Sequence, residues 1–102
     1  MGKQPRLSSQ TLKVLGALVS CASDELSGAE IGKRTKLASG TLYPILFRLE
    51  GAGWLQSRWE LEDPTVLGRP RRRFYRITRK GAKSVKEVVR ELMPAVGRVA
   101  WS

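Results

Sequence analysis

No histidine occurs in the chain, and cysteine occurs once, at Cys21. The commonest general base and metal ligand is therefore missing, and one thiol can neither close an internal disulfide nor build a thiolate metal site. Acids are also few, nine against nineteen Lys and Arg. The close acidic pairs, Asp24-Glu25 and Glu62-Asp63, fall in turn-like segments and read as solvated loop charges rather than a catalytic dyad. No run of about 18 apolar residues exists to span a bilayer, and the start, Met1-Gly2-Lys3-Gln4-Pro5, has no apolar signal region. These absences argue against an enzyme, a metal protein, a secreted protein and a membrane protein. No cofactor is expected. A reducing cytoplasmic location on the nucleoid fits, with Cys21 as a small buried core residue.

What the chain does have is ordinary globular material with a basic surplus. Its 102 residues suffice for one modest core, and 41% hydrophobic with 27% charged residues excludes disorder. The net charge of +10 points to a polyanionic partner, nucleic acid or an anionic membrane surface.

Helical periodicity comes first along the chain. Ser8 can cap a first helix, with Leu7 and Leu12 as a hydrophobic staple, and Leu12, Leu15, Leu18, Val19 and Ala22 recur at helical spacing until the polar Ser23-Asp24-Glu25. Ser27-Gly28-Ala29-Glu30 is a capping box that opens a short second helix running to about Arg34. A connection, Thr35 to Ala38, leads to a third helix beginning at Ser39-Gly40-Thr41, whose Leu42, Ile45, Leu46 and Leu49 share one face. Gly51 and Gly53 let the chain leave it. Two short helices after a longer apolar one form the helix-turn-helix pattern.

Strand signals follow. Trp54–Trp59 alternates, and Phe74–Ile77 is aromatic and β-branched. Between them, Leu61 to Arg73 contains Pro64, Gly68 and Pro70 and reads as a long hairpin loop. A hairpin placed there is a wing. Thr78 then caps a last helix carrying Val85, Val88, Val89, Leu92, Val96 and Val99, with a kink or break expected near Met93 because Pro94 removes a donor. The expected fold is mainly α with a small β-hairpin: a winged helix-turn-helix over residues 1–78 and a dimerisation helix over 79–102.

The charge is concentrated. Arg69, Arg71, Arg72, Arg73, Arg76, Arg79 and Lys80 lie within one segment that contains no acid, and Arg suits phosphate and groove contacts better than Lys. Gly68-Arg69-Pro70-Arg71 resembles part of a minor-groove hook, although Leu67 stands where a further Arg is usual. The third helix is the natural major-groove reader. Thr41 and Tyr43 sit near its N-terminus, where N–H groups favour phosphate, and Arg48, later on the helix, reads as a phosphate clamp. Pro44 is tolerated if that helix begins near Thr41. Tyr43 has an equal claim to packing, whereas Phe47 is expected to pack against the first helix or the wing.

Three stretches carry a family resemblance. Leu26-Ser27-Gly28-Ala29-Glu30-Ile31, the run SGTLYPILFRLEGAGWL from Ser39 to Leu55, and GRPRRRFYRIT from Gly68 to Thr78 together resemble the PadR family of bacterial transcriptional regulators. The resemblance covers most of residues 8–82. It implies a winged helix-turn-helix with a C-terminal dimerisation helix, and repression by operator binding, sometimes relieved by small phenolic or drug-like effectors. It places Ser39, Thr41, Tyr43 and Arg48 on the recognition-helix motif and Arg69 to Arg73 on the wing. Arg79-Lys80-Gly81 departs from the acidic residue usual after Thr78, and the C-terminal region is short.

The expected DNA-contact set is therefore Ser39, Gly40, Thr41, Tyr43 and Arg48 with Arg69, Arg71, Arg72 and Arg73. The expected dimer interface is Val85, Val89, Leu92, Val96 and Trp101, burying an apolar stripe that a lone helix cannot bury alone. Trp101 is expected chiefly to pack there, stacking on a small planar aromatic effector being the alternative. The leading function is a homodimeric, sequence-specific double-stranded-DNA-binding repressor. The alternative is a winged-helix module for protein or structured RNA without operator specificity.

Overall fold

Ser8 opens helix α1 (Ser9–Val19) by accepting a hydrogen bond from the Thr11 amide, which satisfies a donor the first turn cannot use. The structure, a computed structural model, describes residues 7–20 and 25–101, without the side chains of residues 92–101. The buried face of α1 is Thr11, Val14, Leu15, Ala17 and Leu18. This face is turned by one position from the expected one. Leu12 is 38% exposed and Val19 54% exposed, because the Thr11 hydroxyl pairs with Ser8 Oγ at 3.0 Å and so can occupy the core side. Cys21 and Ala22 lie outside the described residues.

Strand β1 (Leu26–Ser27) leads straight into α2 (Gly28–Thr35). Its capping box is complete: Ser27 Oγ accepts from the Glu30 amide at 3.1 Å, and Glu30 Oε1 accepts from the Ser27 amide at 3.0 Å. Those bonds, the backbone one first, hold the Glu30 carboxyl below its ordinary pKa. Lys36 ends α2 in the left-handed region at φ 59°. Helix α3 (Ser39–Gly51) buries Leu42, Ile45, Leu46 and Leu49 as its periodicity implies.

After α3 come β2 (Leu55–Trp59), a short helix α4 (Pro64–Leu67), β3 (Arg73–Ile77) and α5 (Arg79–Trp101). The sheet is antiparallel with β3 in the middle: Leu26 faces Tyr75 on one side and Ser57 faces it on the other. Two elements go beyond the sequence reading. A two-residue strand has no periodicity to detect. Helix α4, within the expected loop, has local signals that were legible: Asp63 as N-cap, Pro64 at the first position and Gly68 at φ 69°. Helix α5 runs through Pro94 as one element, so the alternative of a break near Met93 does not hold.

The core joins α1, α2, α3 and the sheet through Val14, Leu15, Leu18, Leu26, Ile31, Leu42, Ile45, Leu46, Leu49, Trp54, Leu55 and Tyr75. Val85 of α5 packs against this same cluster, while Val89 is 48% exposed. The side chains of Leu92, Val96, Val99 and Trp101 lie outside the described residues. Thr78 caps α5, accepting from the Gly81 amide at 3.0 Å, and its hydroxyl donates to the Gly53 carbonyl at 2.6 Å.

At Gly81, α5 approaches the domain's backbone tightly. A Cβ there would overlap the Trp54 carbonyl oxygen and meet the Ile77 side chain at 2.9 Å. Gly→Ala within an exposed helix ordinarily stabilises by about 1 kcal/mol. Here the sign reverses, because a backbone carbonyl cannot move aside. Gly81→Ala is expected to destabilise the fold by about 1–3 kcal/mol, seen as a lowered urea midpoint by circular dichroism. An unchanged or raised midpoint would show that α5 shifts freely on the domain.

Candidate nucleic-acid interface

Helix α3 differs from its neighbours at its start. Side chains cap α1, α2, α4 and α5, whereas Ala38 precedes α3 and supplies no side-chain bond. Its first-turn N–H groups at Ser39 and Gly40 are left to solvent or to an anion. Ser39 and Gly40 are exposed and Thr41 is half-buried. The helix begins two residues before Thr41, so Pro44 stands in its second turn rather than its first. The missing Pro44 N–H costs the Gly40 carbonyl its helical partner, at an exposed position where water replaces it.

Tyr43 is both packed and open. It is 46% exposed, yet its hydroxyl lies so close to α2 that a Cβ on Gly28 would sit 2.5 Å from it. A glycine at the first position of α2 is what lets the phenol lie across that helix start. Phe47 does not pack against α1 or the wing: it is 79% exposed. Its place on the helix, opposite Leu42, Ile45, Leu46 and Leu49, turns the ring to solvent. Arg48 is exposed and has no hydrogen bond or ion pair among the described residues.

The wing arginines fall into two groups. Arg69 donates to both oxygens of Glu60, at 2.6 and 3.0 Å, and to the Pro70 carbonyl at 3.1 Å. Arg73 donates from Nε to Ser57 Oγ at 2.9 Å and stacks over Trp59, 5.1 Å from the ring centre. Ser57 in turn donates to Glu50 of α3 at 2.6 Å. These two arginines brace the wing. Arg71 uses Nε on the Glu62 carbonyl at 3.0 Å, while the Arg72 guanidinium has no hydrogen bond or ion pair among the described residues. Both are exposed.

A cleft of 460 Å³ joins these parts, lined by Ser27 to Ala29 of α2, Tyr43 of α3, and Trp59, Arg71, Arg72, Arg73 and Tyr75 of the wing. A neighbouring groove of 680 Å³ runs past Tyr43, Pro44, Phe47 and Arg48. The structure thus brings the sequence-selected Tyr43, Arg48, Arg71, Arg72 and Arg73 to one cationic surface between α3 and the wing. Ser39, Gly40 and Thr41 lie on the first turn of that same α3, and Arg69 is turned back onto β2. Among the described residues no group of three or more His, Cys, Asp or Glu could hold a metal ion, and no helix is long and apolar enough to cross a membrane.

A helix-turn-helix followed by an arginine-rich wing, in this order, agrees with a family match. Residues 24–87, more than half of the chain, match the transcriptional regulator PadR-like family. The chain belongs to the PadR-like family. Its fold is shared by solved winged-helix regulators. A PadR family transcriptional regulator from Eggerthella lenta is 26% identical with a TM-score of 0.66, the match covering 92% of this chain and 85% of that one. Bacillus subtilis PadR, solved with operator DNA, is 20% identical with a TM-score of 0.65, over 80% of this chain and 48% of that one. NadR, solved with 4-hydroxyphenylacetate, is 22% identical with a TM-score of 0.71, over 91% of this chain and 60% of that one. The PadR-like chain therefore spans only about half to three-fifths of the latter two proteins. No curated protein matches the chain.

Two residues of this PadR-like site escaped the sequence reading. Glu50 and Glu60 are acids inside a basic region, and their role is to hold arginines in place. Glu60 also accepts from the Arg72 amide at 2.8 Å, while its own amide donates to the Arg72 carbonyl at 2.9 Å. It therefore closes the base of the wing loop. The Arg69 hydrogen bonds, aided by the Arg72 amide, lower its carboxyl from 4.5 to about 2. A depressed carboxyl adds stability above its unfolded value and loses it as pH falls through the folded one. The Arg72 amide resonance is expected to titrate with a midpoint near 2, leaving the clasp intact at pH 4. In Glu60→Gln that titration should vanish and Arg72 amide exchange should quicken. A midpoint at the ordinary carboxylate value would mean the clasp is not formed in solution.

Proposed function

We infer that the PadR-like chain represses transcription by binding a palindromic operator duplex as a homodimer. The observation that carries this reading is the cationic surface itself: Tyr43 and Arg48 of α3 and the arginines of the wing line adjoining clefts, where a duplex could meet both. Ser39, Gly40, Thr41 and Tyr43 are the proposed groove-facing residues. Arg48, Arg71 and Arg72 are the proposed phosphate contacts, with Arg69 and Arg73 holding the wing. The operator complex of Bacillus subtilis PadR supports duplex DNA over RNA or a protein as the partner. The cytoplasmic nucleoid is the location that goes with this function.

The dimer rests on α5. Val89 is exposed on a helix of 23 residues, about 35 Å long, more than the compact domain can cover. Val85 already packs on its own chain's core, so the proposed interface lies further along, through Val89, Leu92, Val96 and Trp101. Val89→Asp is expected to yield monomers in sedimentation equilibrium, with operator affinity falling at least tenfold. A dimer of unchanged strength would place the interface elsewhere.

The wing provides the sharper test. Each phosphate neutralised contributes about −0.9 to the slope of log affinity against log salt. Replacing Arg71 and Arg72 together by Ala removes two contacts per subunit, so a dimer should lose roughly three to four units of slope. Affinity should fall on operator and unrelated DNA alike, since phosphates carry no sequence. An unchanged slope with intact circular dichroism would take the wing off the DNA. A small planar aromatic effector is the ligand class proposed to relieve binding, in line with the 4-hydroxyphenylacetate of NadR. If saturating 4-hydroxyphenylacetate leaves operator affinity unchanged, that compound is not the effector.

A further inference from the structure

The outward stripe of α3 is unusual for a helix meant to read bases. Opposite its buried residues stand Gly40, Pro44, Phe47 and Gly51, at i, i+4, i+7 and i+11, and all four are exposed. None of their side chains can donate or accept a hydrogen bond. Polar groups flank the stripe, with Thr41 and Arg48 on one edge and Tyr43 and Glu50 on the other. The largest element of the stripe is the Phe47 ring, 79% exposed and one turn along from Tyr43.

Free solvent is a poor environment for that ring, and the charge around it says what covers it. Arg48 sits beside it with no partner among the described residues, while Arg73, in the groove of 680 Å³ that Phe47 and Tyr43 line, is paired with Glu50 at 3.8 Å. Arg71 and Arg72 edge the adjoining cleft. A protein partner of ordinary composition would have to desolvate this cationic rim, whereas a duplex satisfies it with phosphates. Of the groups a major groove displays, one is apolar: the C5-methyl of thymine. We propose that Phe47 is a specificity-determining residue of this chain, reading one or more thymine methyl groups in each operator half-site by apolar contact.

This rests on the duplex-binding reading above and deepens it. The centre of α3 then reads shape and methyl groups, and hydrogen-bonding readout falls to Thr41 and Tyr43 at its edges, with Arg48 on the phosphates. Orientation follows as well. With Phe47 in the groove, the first two turns of α3 lie along the bases, Ser39 and Gly40 among them.

The test replaces thymine by deoxyuridine, which removes the methyl and leaves every hydrogen-bonding group. Duplexes are first selected from a random pool with the wild-type protein, and each thymine of the selected half-site is then changed in turn. At one or two positions the wild type should lose about fourfold in affinity per methyl, the burial of one methyl-sized group. Phe47→Ser should bind thymine and deoxyuridine duplexes equally, and Phe47→Leu should keep part of the difference. At 79% exposure the ring can be removed without loss of fold, which circular dichroism checks. Equal binding of thymine and deoxyuridine by the wild type overturns the proposal while leaving duplex recognition standing. So does a methyl effect that persists in Phe47→Ser. If selection yields no preferred duplex, duplex-specific recognition fails, and the role of Phe47 fails with it.

Discussion

Everything at the surface between α3 and the wing depends on the pairing of β3 with the two residues Leu26 and Ser27. That contact sets Leu26 opposite Tyr75 and Ser27 opposite Phe74, both members of β1 being buried. Ser27 is at once a strand residue, the N-cap of α2 and the partner of Glu30. One short pairing therefore fixes where α2 starts relative to the wing. A buried backbone segment must find partners for its polar groups, so the arrangement is not free to slide.

From that anchor α3 inherits its place. The Tyr43 phenol lies across the start of α2 because Gly28 has no side chain there. At the other end of α3, Glu50 takes the Ser57 hydroxyl, and Ser57 takes Arg73. Helix α3 is thus held at both ends to elements that β3 has already positioned.

The acids within the basic wing have a physical purpose that net charge obscures. Arginines crowded into one loop repel one another and would splay it. Glu60 takes the Arg69 guanidinium and the Arg72 amide together, and Arg73 is spread over Ser57 and Trp59. What remains outward is a pair, Arg71 and Arg72, on a loop already shaped. A loop ordered before binding spends less affinity on its own ordering.

Much of this was readable in the chain alone. The caps at Ser8, Ser27 and Thr78, the face formed by Leu42, Ile45, Leu46 and Leu49, and the strands around the wing are local patterns, and local patterns are written in sequence spacing. The family was readable for the same reason, through Ser39 to Leu55 and Gly68 to Thr78. What spacing could not say was which neighbour each side chain would meet. It misassigned Phe47 to packing, because an aromatic ring usually finds a core, and here the core face was already filled by four aliphatic residues. It could not tell that Arg69 and Arg73 have partners within the chain, because charge is visible in sequence and a partner 9 or 16 residues away is not. Sequence determined the elements and the concentration of positive charge around the wing. Tertiary contacts decided which arginines brace the wing and which face outward, since that depends on carboxylates brought close only when β2 and β3 pair.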